Sequence, residues 1–67
     1  MHPYEILIYC DEYYDEDQEA TIAAEILVDP TLILAADREK AQRKAHKLIP
    51  DSHDDNEYVV VIVREYN

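Results

Sequence analysis

The chain has 67 residues, enough for one small domain and too few for a second core. Sixteen acidic against six basic side chains give a formal net charge of −10, while 48% of the residues are apolar; this is too apolar for a disordered tail and too charged for an aggregating surface. No apolar stretch approaches the roughly 18 to 20 residues that span a bilayer, and Met1-His2-Pro3-Tyr4-Glu5 lacks the basic flank and apolar run of a secretory signal, so a cytoplasmic protein without a membrane partner is expected.

The acidic balance argues against direct contact with DNA, RNA or anionic lipid, whose phosphates it would repel, and makes a basic protein surface the natural complement. The single Cys10 rules out an internal disulfide, and the three histidines show no Cys/His spacing suited to structural zinc. The fold must hold itself or be completed by another subunit.

Between Tyr4 and Cys10, the residues Tyr4, Ile6, Ile8 and Cys10 share one parity and Glu5, Leu7 and Tyr9 the other. That alternation reads as a first strand over about residues 3–13. Residues 11–19 then hold six carboxylates in nine positions, which suits a solvated strand end and turn. From Thr21 to Val28 the alternation resumes with Ile22, Ala24, Ile26 and Val28 on one side. A second strand antiparallel to the first is expected there, ended by Asp29-Pro30.

Residues 31–36 read either as a short extra strand or as an extended connection. Asp37 as N-cap, Glu39 in the first turn, His46 and Lys47 in the last and Pro50 beyond predict a helix over about 38–49. Ala41, Ala45 and Leu48 make its narrow apolar face, the two alanines allowing close approach to a sheet. After an acidic loop at residues 50–57, Tyr58 to Tyr66 carries five consecutive aliphatics, a strand expected to be covered on both faces.

The expected architecture is a single α+β domain over residues 1–67: an antiparallel sheet of three to four strands with one helix packed on one face, in the order ββαβ or βββαβ. Tyr4, Ile6, Ile8, Ile22, Ala24 and Ile26 are expected to meet the helix. Leu7, Tyr9, Leu27 and one parity of the last strand then lie on the opposite side, where an apolar patch points to a homodimer or tight docking on a partner.

The chemistry open to the chain is limited. Phosphate-cradling loops, nucleophile elbows and dinucleotide fingerprints need glycine, and the chain has none. Cys10 shares parity with Ile6 and Ile8 and has no basic neighbour in sequence to activate it. The histidines are dispersed, and no acid/base pair is evident. Asp15, Asp17 and Glu19 alternate like the opening ligands of a calcium loop, but the central glycine, the closing glutamate and the helix–loop–helix frame are missing. A non-enzymatic protein with no cofactor and no metal is the expectation.

Charge is unevenly spread. Residues 1–37 contain ten acids and no lysine or arginine, residues 38–49 carry a net charge of plus four, and residues 50–67 a net charge of minus four. The helix is a basic island on an acidic body, consistent with a solvated face held in the body's own field. If residues 31–36 are a connection, both acidic loops share one edge and gather ten carboxylates there; if they form a full antiparallel strand, the loops fall at opposite ends. Carboxylates along one rigid edge can imitate a row of phosphates and select a basic groove. The candidate partner-binding residues are Asp11, Glu12, Tyr13, Tyr14, Asp15, Glu16, Asp17, Glu19, Asp54 and Asp55, with the two tyrosines as aromatic anchors. The alternative is a homo-oligomeric assembly protein acting through Leu7, Tyr9 and Leu27.

The segment from Thr31 to Ala41, continuing through Ala45 to Leu48-Ile49-Pro50, and the closing strand from Tyr58 to Tyr66 together resemble the small acidic accessory proteins of tailed bacteriophages. Several of those are ββα-type inhibitors that imitate nucleic acid. The resemblance covers about half the chain. It implies an inhibitor or DNA mimic that acts on a nucleic-acid-binding protein in the host cytoplasm, and it transfers no individual functional residue.

Overall fold

The computed structural model describes residues 1–66. Strands β1 (His2–Cys10), β2 (Tyr13–Asp15), β3 (Ala20–Ile22) and β4 (Glu25–Ala35) precede helix α1 (Arg38–His46), a single 3-10 turn at Asp51–His53, and strand β5 (Val59–Glu65). The three long strands form one sheet in the order β4-β1-β5, with β1 antiparallel to both neighbours. The result is the α+β architecture read from the sequence, with α1 packed on the sheet.

The first hairpin is longer than its two predicted strands, and it is interrupted. Cys10 lies opposite Glu25 and Tyr13 opposite Ile22, so β2 and β3 continue the β1–β4 ladder in one register past a break at residues 11–12 and 23–24. They project as a two-stranded arm. The molecule is accordingly elongated, 46 Å along its principal axis, and its radius of gyration of 13.6 Å exceeds the roughly 11 Å of a compact chain of this length.

Asp29-Pro30 does not end a strand. Strand β4 runs through it, because two register shifts, between Ile6 and Ile8 and between Ile8 and Tyr9, let β4 fit extra residues against β1. Proline fits at an edge-strand bulge, where its missing N–H costs no ladder bond. Thr31 Oγ1 donates to Asp29 O at 2.7 Å inside the distortion. The hairpin register decides which residues face the helix: Cys10 opposite Glu25 puts odd-numbered residues of β4 on the core side, and the two one-residue shifts restore that parity by Thr31. Ile33 and Ala35 pack there, while Ile26 and Ala24, expected in the core, are exposed.

The core is small. Tyr4, Ile6, Ala35, Ala41, Ala45 and Val63 form its buried cluster, flanked by Ile33 and Val61, and Ile8 and Cys10 are buried beyond it. Ala41 and Ala45 are fully enclosed, so the helix backbone comes close to the sheet as the sequence implies. Asp37 caps the helix, its carboxylate accepting from Lys40 N at 2.8 Å. Regular helix stops at His46 rather than residue 49: Leu48 N and Ile49 N donate to Ala45 O and His46 O in a tightened last turn. That turn leaves Leu48 largely exposed instead of in the helix face. A nine-residue helix is about 14 Å long, roughly half the length of β1. The end of the sheet at Cys10 is covered by the loop after the helix, where Asn56 Nδ2 lies 3.5 Å from Cys10 Sγ.

A basic side chain of the helix reaches one carbonyl on each free edge of the sheet. Asp11 N donates to Tyr58 O and Tyr66 N to Pro3 O, so by antiparallel alternation Val59, Val61, Val63 and Glu65 turn their backbone groups outward. On that edge Arg38 Nη2 donates to Val63 O at 2.7 Å, and on the opposite edge Lys44 Nζ donates to Leu34 O at 2.6 Å. Basic side chains over unpaired carbonyls discourage another chain from adding as a strand. Part of the basic island is thereby committed within the chain, and Arg43 is bound to Glu39 at 2.7 Å.

Candidate functional site: an acidic arm and an open sheet face

Strand β4 keeps its direction through the Pro30 bulge, α1 returns to the arm end, and the loop before β5 lies there as well. The two acidic segments therefore lie at one end of the sheet although residues 31–35 are strand. The bulged continuation differs from both the connection and the separate antiparallel strand expected from the sequence.

Four contacts join arm and loop. Asp11 N donates to Tyr58 O at 2.9 Å, and the rings of Tyr13 and Tyr58 stack with centroids 4.7 Å apart and planes 4° from parallel. His53 Nε2 lies 3.8 Å from Glu25 Oε2 at the root of the arm, and Asn56 reaches Cys10. Asn56 Oδ1 also accepts from Tyr58 N at 2.8 Å, which fixes the entry into β5. The loop is further folded by its 3-10 turn, with His53 N on Pro50 O and Asp54 N on Asp51 O.

Asp11, Glu12, Glu16, Asp17 and Glu19 are exposed along the arm, and Asp54 and Asp55 are exposed on the loop. Asp15 is half-buried, its Oδ1 accepting from Asp17 N at 2.9 Å and Gln18 N at 3.4 Å. That carboxylate organises the turn, where Glu19 takes the left-handed conformation with φ of 50°. The tyrosines divide. Tyr13 gives one ring face to Tyr58, whereas Tyr14 is 59% exposed.

A second candidate surface is the sheet face away from α1. In register, Leu34, Leu32 and Ile26 of β4 flank Pro3, Glu5 and Tyr9 of β1, and Ile62 and Val60 flank Leu7 and Tyr9 from β5. Ile26, Leu32, Leu34 and Ile62 are 41–57% exposed, so β5 is not covered on both faces as its aliphatic run implied. Leu7, Tyr9 and Leu27, the interface residues read from sequence, are half-buried. The most exposed apolar residues of this face, Leu34, Ile26 and Leu32, belong to β4. Glu5 and Arg64 sit side by side on the same face, Arg64 Nε donating to Glu5 Oε1 at 2.8 Å. Next to that pair is an open hollow of about 280 Å³ lined by Glu5, Ile6, Leu7, Pro30, Ile62 and Arg64.

Among the described residues, no three His, Cys, Asp or Glu side chains converge in a metal-binding arrangement, and no helix is long and apolar enough to cross a membrane. Comparison with protein-family models, with curated proteins and with solved structures gives no match to this chain.

Proposed function

We propose that this is a non-enzymatic binding protein whose acidic arm and loop dock on a basic, nucleic-acid-binding surface of a partner protein, as an inhibitor that imitates DNA. What supports the reading is the bracing of the two acidic segments at one end of the sheet by the Tyr13–Tyr58 stack, the Asp11–Tyr58 hydrogen bond and the His53–Glu25 contact. Carboxylates held on a ribbon lose little freedom on binding and present a fixed pattern to a basic groove. Within β2, Tyr13 and Asp15 lie on one side of the ribbon, roughly 6.6 Å apart, and Tyr14 on the other. Tyr14, exposed between Glu12 and Glu16, supplies an aromatic anchor. On this reading the protein acts in the host cytoplasm, as its resemblance to phage accessory proteins implies.

The test is capture of partners from a bacterial lysate on the immobilised protein at about 0.1 M salt, where surface charge still operates, followed by elution with competing duplex DNA. The expected result is a nucleic-acid-binding protein that DNA displaces and that the E12K/E16K/D17K variant, which changes only exposed acids of the arm, no longer retains. Capture that survives both DNA and the charge reversal overturns the reading.

A further inference from the structure

We infer that the open face of the β4-β1-β5 sheet is the interface of a homodimer, with a second copy of this chain packed sheet on sheet against it.

The chain carries 22 ionic side chains, yet outside the Asp29-Pro30 bulge the open-face positions of the three strands hold only Glu5 and Arg64, and these neutralise each other. Elsewhere the surface is heavily charged, acidic on the arm and loop and basic along the helix. A basic partner drawn to the arm gains nothing electrostatic here. A face with no net charge and with Leu32, Leu34, Ile26 and Ile62 projecting is matched by a surface equally apolar and equally neutral, which a second copy presents. Isologous pairing of one patch with itself is the commonest route to a dimer.

Shape and area agree. A two-fold axis running across the strands at the level of Ile6 reverses the strand direction of the second copy. Leu32, opposite Glu5, is then carried to the level of Leu7 on the β4 side, over the hollow bordered by Pro30 and Leu7. The acidic arms point away from each other, which keeps two chains of net charge −10 from placing their densest charge together. Three strands about 15 Å across and about 35 Å along β4 remove on the order of 1,000 Å² in all, the lower range for specific association. An interface of that size belongs with weak, transient association, so the dimer is one that forms as concentration is raised.

The experiment is sedimentation velocity of the full chain from about 1 to about 300 µM, concentrations at which weak association is populated. The expected result is a concentration-dependent shift from 7.9 kDa to twice that mass. Because the charge is kept off the interface, raising salt strengthens the dimer or leaves it unchanged, whereas binding through the acidic arm weakens. The L32K/I62K variant changes exposed positions and should stay monomeric with an unchanged circular dichroism spectrum, while E12K/E16K/D17K should still dimerise. Should L32K/I62K unfold, solvent paramagnetic relaxation on the unmodified protein decides: the methyls of Leu32, Leu34 and Ile62 become protected as concentration rises. A monomer throughout the range, a dimer indifferent to L32K/I62K, or methyls that stay accessible in the dimer overturns the inference. None of these outcomes bears on capture of a basic partner by the arm.

Discussion

Strands β1 and β4 and strands β2 and β3 belong to one antiparallel ladder in a shared register at their junction, yet the two stretches are held in different ways. At the root, Tyr4, Ile6, Ile8 and Cys10 point into a core closed by Ala41 and Ala45. Beyond residue 10, no residue of the arm is buried, and its attachment to the body is a ring stack, one backbone hydrogen bond and a loop contact. Burial fixes the first stretch, whereas local turn chemistry and one aromatic pair hold the second, since an isolated two-stranded hairpin is marginal in water. Cooperative unfolding should belong to the body, and the arm should open at lower free energy.

The largest effect tests the body. Ile6 is fully buried at the centre of the sheet, and Ile6→Ala should cost about 2–5 kcal/mol, a large part of the total for so small a domain. Thermal melting followed by circular dichroism should show the whole fold lost or its midpoint sharply lowered; a variant that melts like the parent would mean that the core is not the source of stability. Next is the joint between the regions. Tyr13→Ala removes the stack on Tyr58, worth about 0.5–1.5 kcal/mol beyond its buried area. Amide exchange should accelerate at residues 13–22 while protection of β1 and β5 changes little. Acceleration spread evenly over the sheet would show that arm and body unfold as one unit.

What the sequence disclosed follows the same division. In the body the period-2 pattern of Tyr4, Ile6, Ile8 and Cys10 identified the core side of β1, and Asp37 with Ala41 and Ala45 defined the start and inner face of the helix, because each rests on local geometry. The pattern failed along β4. The pairing of Cys10 with Glu25 and of Tyr13 with Ile22 turns Ile22, Ala24 and Ile26 away from the core side, a register that composition does not encode, and Leu32 and Leu34 could not be assigned without it. Pro30 misled for a related reason, since its exclusion from strands weakens at edges and bulges, and edge position is a property of the assembled sheet. Of the candidate site, the exposure of Asp11, Glu12, Glu16, Asp17, Glu19, Asp54 and Asp55 was legible as charge density. Their convergence depended on the direction of β4. The Tyr13–Tyr58 stack was not legible, because two tyrosines 45 residues apart meet only through the register of β1 with β5. Arg38 and Lys44 illustrate the same limit: a helix of basic side chains reads as solvated until the sheet edges beneath them are known.

The smallest effect sharpens the comparison from the other side, by strengthening the arm alone. With no glycine in the chain, the turn at residues 16–19 places Glu19 at φ of 50°, a conformation that costs a residue bearing a Cβ roughly 1 kcal/mol and glycine little. Glycine is also more flexible when unfolded, which offsets part of the gain, so Glu19→Gly should stabilise the hairpin by a few tenths of a kcal/mol. Removing one of the closely spaced carboxylates adds in the same direction by relieving repulsion with Glu16 and Asp17. Exchange at residues 14–21 should slow by up to about threefold, since 1.4 kcal/mol corresponds to a factor of ten, while the thermal midpoint of the body stays where it is. A raised midpoint would mean that the tip contributes to global stability, and the separation between a core-held root and a turn-held arm would have to be given up.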